Sequence, residues 1–114
     1  MEDIRTEFRK ITPKVTGGII RMREESFRDA AVPAKYKALA ALAIVVVEKC
    51  EPCIEAYVKM SIDKGATKDE IIEFLNVAMT EAGCPGEEWA LKAYSYYKKI
   101  STGKGAKKGG SCCA

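Results

Sequence analysis

Cys50-Glu51-Pro52-Cys53 is the short stretch in which residue type and spacing offer reaction chemistry. Two thiols three residues apart can lie side by side at a helix start. They can close into a disulfide, reopen, or hold a metal. The thiolate is the reactive form, and an ordinary cysteine with a pKa of ~8.5 is mostly protonated at neutral pH. A helix N-terminus lowers that value. Pro52 supplies the break that such an arrangement needs. Glu51 precedes a proline, which disfavours helical backbone, so it is expected near the N-cap with Pro52 in the first turn. Cys53 then sits in the first turn and Cys50 just before it. The dipole argument favours Cys53 as the attacking thiolate and Cys50 as its resolving partner. Lys49 adds positive charge nearby, while Glu51 and Glu55 oppose ionisation.

The competing readings are plainer. Cysteines also serve as small apolar residues packed at helix junctions. A tetrahedral metal wants four ligands. Without histidine the local recipe is Cys50, Cys53 and two further thiols, so no metal and no cofactor is expected. Cys84 falls in a Gly/Pro turn, packed or exposed. Adjacent cysteines at the end of a Gly-rich tail rarely arise from packing, and Cys112 and Cys113 are candidate resolving thiols for the pair.

The chain has 114 residues, 47% of them hydrophobic, which fits one domain with a real core. The division expected is a helical domain over residues 1–101 and a flexible Lys/Gly-rich tail over 102–114. There is no histidine, which excludes His-based triads, His-ligated zinc and imidazole acid–base catalysis. No secretory signal or membrane-length apolar run is seen, so a cytoplasmic protein is expected. The net charge of +3 is unevenly placed. Five lysines from Lys98 onward carry the excess, and the preceding body is slightly acidic. The tail lacks interleaved aromatics, so neither nucleic acid nor membrane is an expected partner.

The elements that must position the thiols read as helices. Ile4, Phe8 and Ile11 mark a short amphipathic helix. Thr12-Pro13 opens the next, with Gly17-Gly18 expected to delay it until about Gly18. Residues 29–32 connect, and Pro33 opens a helix to about Lys49. Its interior, Ala38 to Val47, is apolar all round and calls for protein on every side. The helix after Pro52 ends at Gly65 as a C′ residue. Thr67-Lys68-Asp69-Glu70 is a capping box, and Gly83-Cys84-Pro85-Gly86 is a turn before a last helix carrying Trp89, Ala93 and Tyr96. The expected fold is all-α, a single-domain bundle of five to six helices. A chain this small buries limited surface, so oligomerisation is expected to complete it.

The apolar helix, then Cys50-Glu-Pro-Cys53-Ile-Glu-Ala-Tyr57, then Gly65-Ala66-Thr67 and Glu70-Ile71-Ile72, resembles the carboxymuconolactone decarboxylase-like family. Within it the chain resembles the AhpD-like, alkylhydroperoxidase-type branch. The resemblance implies a helical fold assembled as a trimer or hexamer. It implies a redox-active pair, Cys50 and Cys53, that reduces a small peroxide or services a peroxiredoxin or dithiol reductant partner. Members with this pair usually carry a His four residues after the second Cys and a Glu twelve before the first. Tyr57 and Ala38 stand there. Tyr57 is a candidate supporting contact, since it can hydrogen-bond a thiolate. The alternative implied is a non-catalytic oligomeric scaffold or binding member, with an interface pocket lined by Tyr57, Trp89 or Tyr96.

Overall fold

The computed structural model describes residues 2–103. Among these residues there are six helices and no strand. The first two stand apart from the rest. α1 (Ile4–Ile11) starts where the Asp3 carboxylate accepts from the Thr6 amide at 2.8 Å. That hydrogen bond is what holds the Asp3 carboxyl below its ordinary range. The chain turns at Thr12 into α2 (Pro13–Ser26). α2 is helical from its first residue, so Gly17-Gly18 does not delay it. Pro13 presets the first turn, and the Thr16 hydroxyl donates to the Thr12 carbonyl at 2.7 Å. These local terms outweigh the roughly 1 kcal/mol that each helical glycine costs.

The core comes from the other four helices. α3 (Ala34–Glu48) packs on α4 (Glu51–Asp63) and α5 (Lys68–Ala82), and α6 (Gly86–Ser101) closes the bundle against α4 and α5. Leu39, Leu42 and Val46 of α3 meet Ile54 and Val58 of α4 and Ile71 of α5, all fully buried. Each such side chain contributes roughly 1.5–3 kcal/mol through burial. α3 is not covered all round. Tyr36, Ile44 and Val47 lie exposed on its outer side. The apolar run of α3 therefore serves one buried face and leaves another open. α1 and α2 bury no residue at all.

The joints follow local chemistry. Thr67 and Glu70 cap α5 reciprocally, hydroxyl from amide at 3.1 Å and carboxylate from amide at 2.9 Å. The Glu70 carboxylate also meets Lys35 at 3.0 Å, tying α5 to the start of α3. Those contacts hold the Glu70 carboxyl below its ordinary range, the Thr67 amide first and then Lys35. α4 ends as expected on Gly65, with φ of 93°. The Ala66 and Gly65 amides return to the Ser61 and Ile62 carbonyls at 2.9 and 3.0 Å, a Schellman motif. At the start of α6, a Cβ on Gly86 would stand 2.8 Å from the Met79 carbonyl oxygen, so close α5–α6 packing requires glycine there. No helix among the described residues is long and apolar enough to cross a membrane.

Candidate active site

The corner between α3 and α4 is built by an unusual helix ending. Lys49 adopts left-handed backbone, φ 61° and ψ 39°, the one non-glycine residue with positive φ among those described. Its amide bonds the Val46 carbonyl and the Cys50 amide bonds the Val45 carbonyl, both at 3.1 Å. This is again a Schellman motif, with Lys49 where glycine usually stands. The motif fixes Cys50 in two roles. It is the last bonded residue of the α3 ending and the N-cap of α4, in extended backbone with φ −98° and ψ 95°.

The N-cap is therefore Cys50 and not Glu51. Glu51 is the first helical residue although it precedes a proline, because the Lys49 turn already sets the direction of the chain. Cys53 is the third helical residue, and the two sulfurs are joined as a disulfide with Cα atoms 5.3 Å apart. Access differs between them. Cys50 is half-buried, while Cys53 is 4% exposed and belongs to the core. No side chain caps α4. The N-cap side chain is the group that ordinarily accepts from the third amide of a helix. Cys50 occupies that N-cap position, at the positive end of the helix dipole.

Tyr57 follows Cys53 by one turn on the same face. It is buried, and its ring meets Phe27 at 5.6 Å, so it joins the α4 core to the residue that ends α2. Ala38 is fully buried in the body of α3. Cys84 is an exposed free thiol in the turn before α6. The candidate resolving thiols Cys112 and Cys113 lie outside the described residues, as does most of the 102–114 tail. No three Cys, Asp or Glu side chains gather as a metal set among the described residues.

Sequence spacing missed the contribution of α6. Lys92 lies 3.5 Å from the Glu51 carboxylate and 5.1 Å from the centre of the Trp89 ring. Tyr96 lies beside Glu51 on the same face, and Lys99 sits 5.5 Å over its ring. Burial, and then the Glu51 and Glu55 charges, push the Tyr96 hydroxyl above its usual range. The 89, 92, 96, 99 spacing is one helical face. Its partner on another helix could not be read from spacing alone.

Comparison with known proteins places this arrangement. The sequence profile of the carboxymuconolactone decarboxylase family matches residues 13–95. A crystal structure of a carboxymuconolactone decarboxylase family protein from Legionella pneumophila superposes with a TM-score of 0.80 at 28% identity, covering 84% of this chain and 86% of that one. A family protein from Thermotoga maritima, with a suggested part in antioxidative response, shares the fold with a TM-score of 0.71 at 22% identity, over 76% and 90% of the two chains. An uncharacterised protein of Cupriavidus necator is 28% identical over 74 residues, 65% of this chain and 66% of its own length. An uncharacterised protein of the cox locus of Paracoccus denitrificans is 40% identical over 52 residues, 46% of this chain and 47% of its own. The chain thus spans just under two thirds of one of these curated relatives and about half of the other.

Proposed function

Because the chain belongs to the carboxymuconolactone decarboxylase family, we propose that it is a thiol–disulfide oxidoreductase of the alkylhydroperoxidase type, with Cys50 and Cys53 as its reacting groups. The observation that carries this reading is the Cys50–Cys53 disulfide at the N-terminus of α4, with Cys50 half-buried and Cys53 buried.

The chemistry assigns the two sulfurs different tasks. In the reduced pair, the Cys50 thiolate is stabilised at the N-cap and attacks the terminal oxygen of a small peroxide. The O–O bond breaks, the alkoxide leaves and takes a proton as alcohol, and Cys50 becomes a sulfenic acid. The Cys53 thiol attacks that sulfur, the disulfide forms and water leaves. A dithiol reductant then attacks the accessible Cys50 sulfur, and Cys53 departs with the electron pair of the S–S bond. The reductant's second thiol closes its own disulfide and releases Cys50. Overall one peroxide and one dithiol give one alcohol, one water and one disulfide. A peroxiredoxin disulfide can take the place of the peroxide as oxidant. The N-cap position shifts the nucleophile from Cys53, as spacing predicts, to Cys50. It also provides activation where Ala38 and Tyr57 replace the usual acid–base residues. The test is peroxide consumption with a dithiol present, in wild type, Cys50→Ser and Cys53→Ser. Turnover lost in both variants supports the proposal; turnover unchanged in either overturns it.

The working unit is proposed to be a homo-oligomer, a trimer or hexamer. Two features support this: α1 and α2 bury nothing within the chain, and the outer side of α3 exposes Ile44 at 57% with Tyr36 and Val47 beside it. Light scattering after gel filtration of wild type and Ile44→Asp tests it. A monomeric wild type sinks the idea.

A further inference from the structure

Two cavities meet along α2, and cations dominate their walls. The smaller, about 150 Å³, lies between α1 and α2, where Arg5, Arg9 and Arg23 stand around Phe8, Ile19 and Ile20. The larger, about 450 Å³, lies between α2 and α4 and shares Ile20 and Arg23 with the first. Phe27, Met60 and Lys64 continue it. Across both, the cations Arg5, Arg9, Arg23, Arg28 and Lys64 face a single carboxylate, Glu24. Arg28 is engaged by Glu25 at 2.7 Å. Among the described residues neither Arg9 nor Arg23 makes an ion pair.

The choice of cation is informative. All five arginines of the chain lie between positions 5 and 28, and every later cation is lysine. Arginine presents a planar fork matched to a carboxylate, and its guanidinium is more weakly hydrated than an ammonium. Two guanidinium groups without ion-pair partners beside an apolar wall therefore favour a ligand with an anionic head and an apolar body. We infer that this trough binds a small organic acid, its carboxylate held between Arg9 and Arg23 and its apolar body laid along Ile20, Phe27 and Met60. The apolar wall beside the two guanidinium groups favours a monocarboxylate with an apolar body over inorganic phosphate. Binding does not depend on the thiols, so it goes beyond the redox reading and stands or falls separately.

Titration calorimetry on the full chain tests the inference with three probes: octanoate, octanol and inorganic phosphate. Octanoate should bind saturably, with octanol and phosphate at least about tenfold weaker, since a charged hydrogen bond is worth that factor or more. Arg9→Gln and Arg23→Gln should each weaken octanoate by at least about tenfold. Arg23→Lys, which keeps the charge and loses the fork, should fall between. Cys50→Ser/Cys53→Ser should bind as wild type does. No saturation by octanoate at about 1 mM overturns the inference. So does phosphate binding as tightly as octanoate, or a double Arg9→Gln/Arg23→Gln variant with unchanged affinity. Circular dichroism checks the fold of each variant. If Arg23→Gln fails to fold, Arg9→Gln alone decides, because α1 buries no residue.

Discussion

The ammonium of Lys92 on α6 stands 3.5 Å from the carboxylate of Glu51, the residue that follows Cys50. Tyr96, one turn further along α6, stands beside the same carboxylate. The first turn of α4 is thus held from outside its own helix, beside the half-buried sulfur. This contact has a pH signature. The Tyr96 hydroxyl ionises above its usual value near ~10 because burial, and then Glu51 and Glu55, disfavour the phenolate. Below that range Tyr96 is neutral in the folded and unfolded chains alike. As pH rises through it, the unfolded chain ionises first and the folded chain keeps its proton, so stability falls. Tyr96→Phe should flatten this part of the alkaline decline. Urea midpoints measured from about pH 9 to 11 check it. An unaltered slope would show that other groups carry the decline.

The unequal access of the two sulfurs predicts where an intermediate is trapped. In Cys53→Ser the accessible Cys50 thiolate should still attack an incoming disulfide, release one of its two thiols and stall as a mixed disulfide. In Cys50→Ser the remaining sulfur is buried, and adduct formation should slow by at least about tenfold. Mass spectrometry after brief exposure to an aromatic disulfide reads both. Equal labelling of the two variants would contradict the assignment of Cys50 as the entry point.

Lys49 sets the corner at a conformational cost. Left-handed backbone costs a non-glycine residue about 1 kcal/mol or more. Lys49→Gly removes the strain while adding freedom to the unfolded chain, and the first effect should win where φ is 61°. The variant should gain about 0.5 kcal/mol in urea unfolding with the disulfide intact. A loss of stability would mean that the lysine side chain contributes more than its backbone costs.

That same residue shows why the site was only half legible. The thiol spacing, the proline break, the capping box at Thr67 and the Gly65 ending are local features, and each was readable from its own few residues. The all-helical fold followed from them. Nothing in the residue type of Lys49 announces a left-handed turn, so the sequence alone points to an N-cap one residue late, near Glu51. The Glu51–Lys92–Tyr96 contact joins residues about forty apart in sequence, and helical periodicity on α6 shows a face without naming its partner. The apolar run of α3 predicted cover on every side. One chain supplies it on one face, which is why Ile44 stands exposed.

Ser61 is the remaining test of how α4 is packed. It follows Cys53 and Tyr57 at four-residue steps, on the face that enters the core, and it is fully buried. Its carbonyl accepts from Ala66 at 2.9 Å, closing the helix, yet its hydroxyl has no hydrogen-bond partner among the described residues. A buried hydroxyl without a partner costs about 1–3 kcal/mol in lost hydration. Ser61→Ala removes that cost and leaves a void smaller than a methyl group, so the desolvation effect should prevail. The variant should be more stable by about 1 kcal/mol, read as a higher urea midpoint at unchanged slope. A lower midpoint would mean that the hydroxyl finds an acceptor within the core and contributes more than its burial costs.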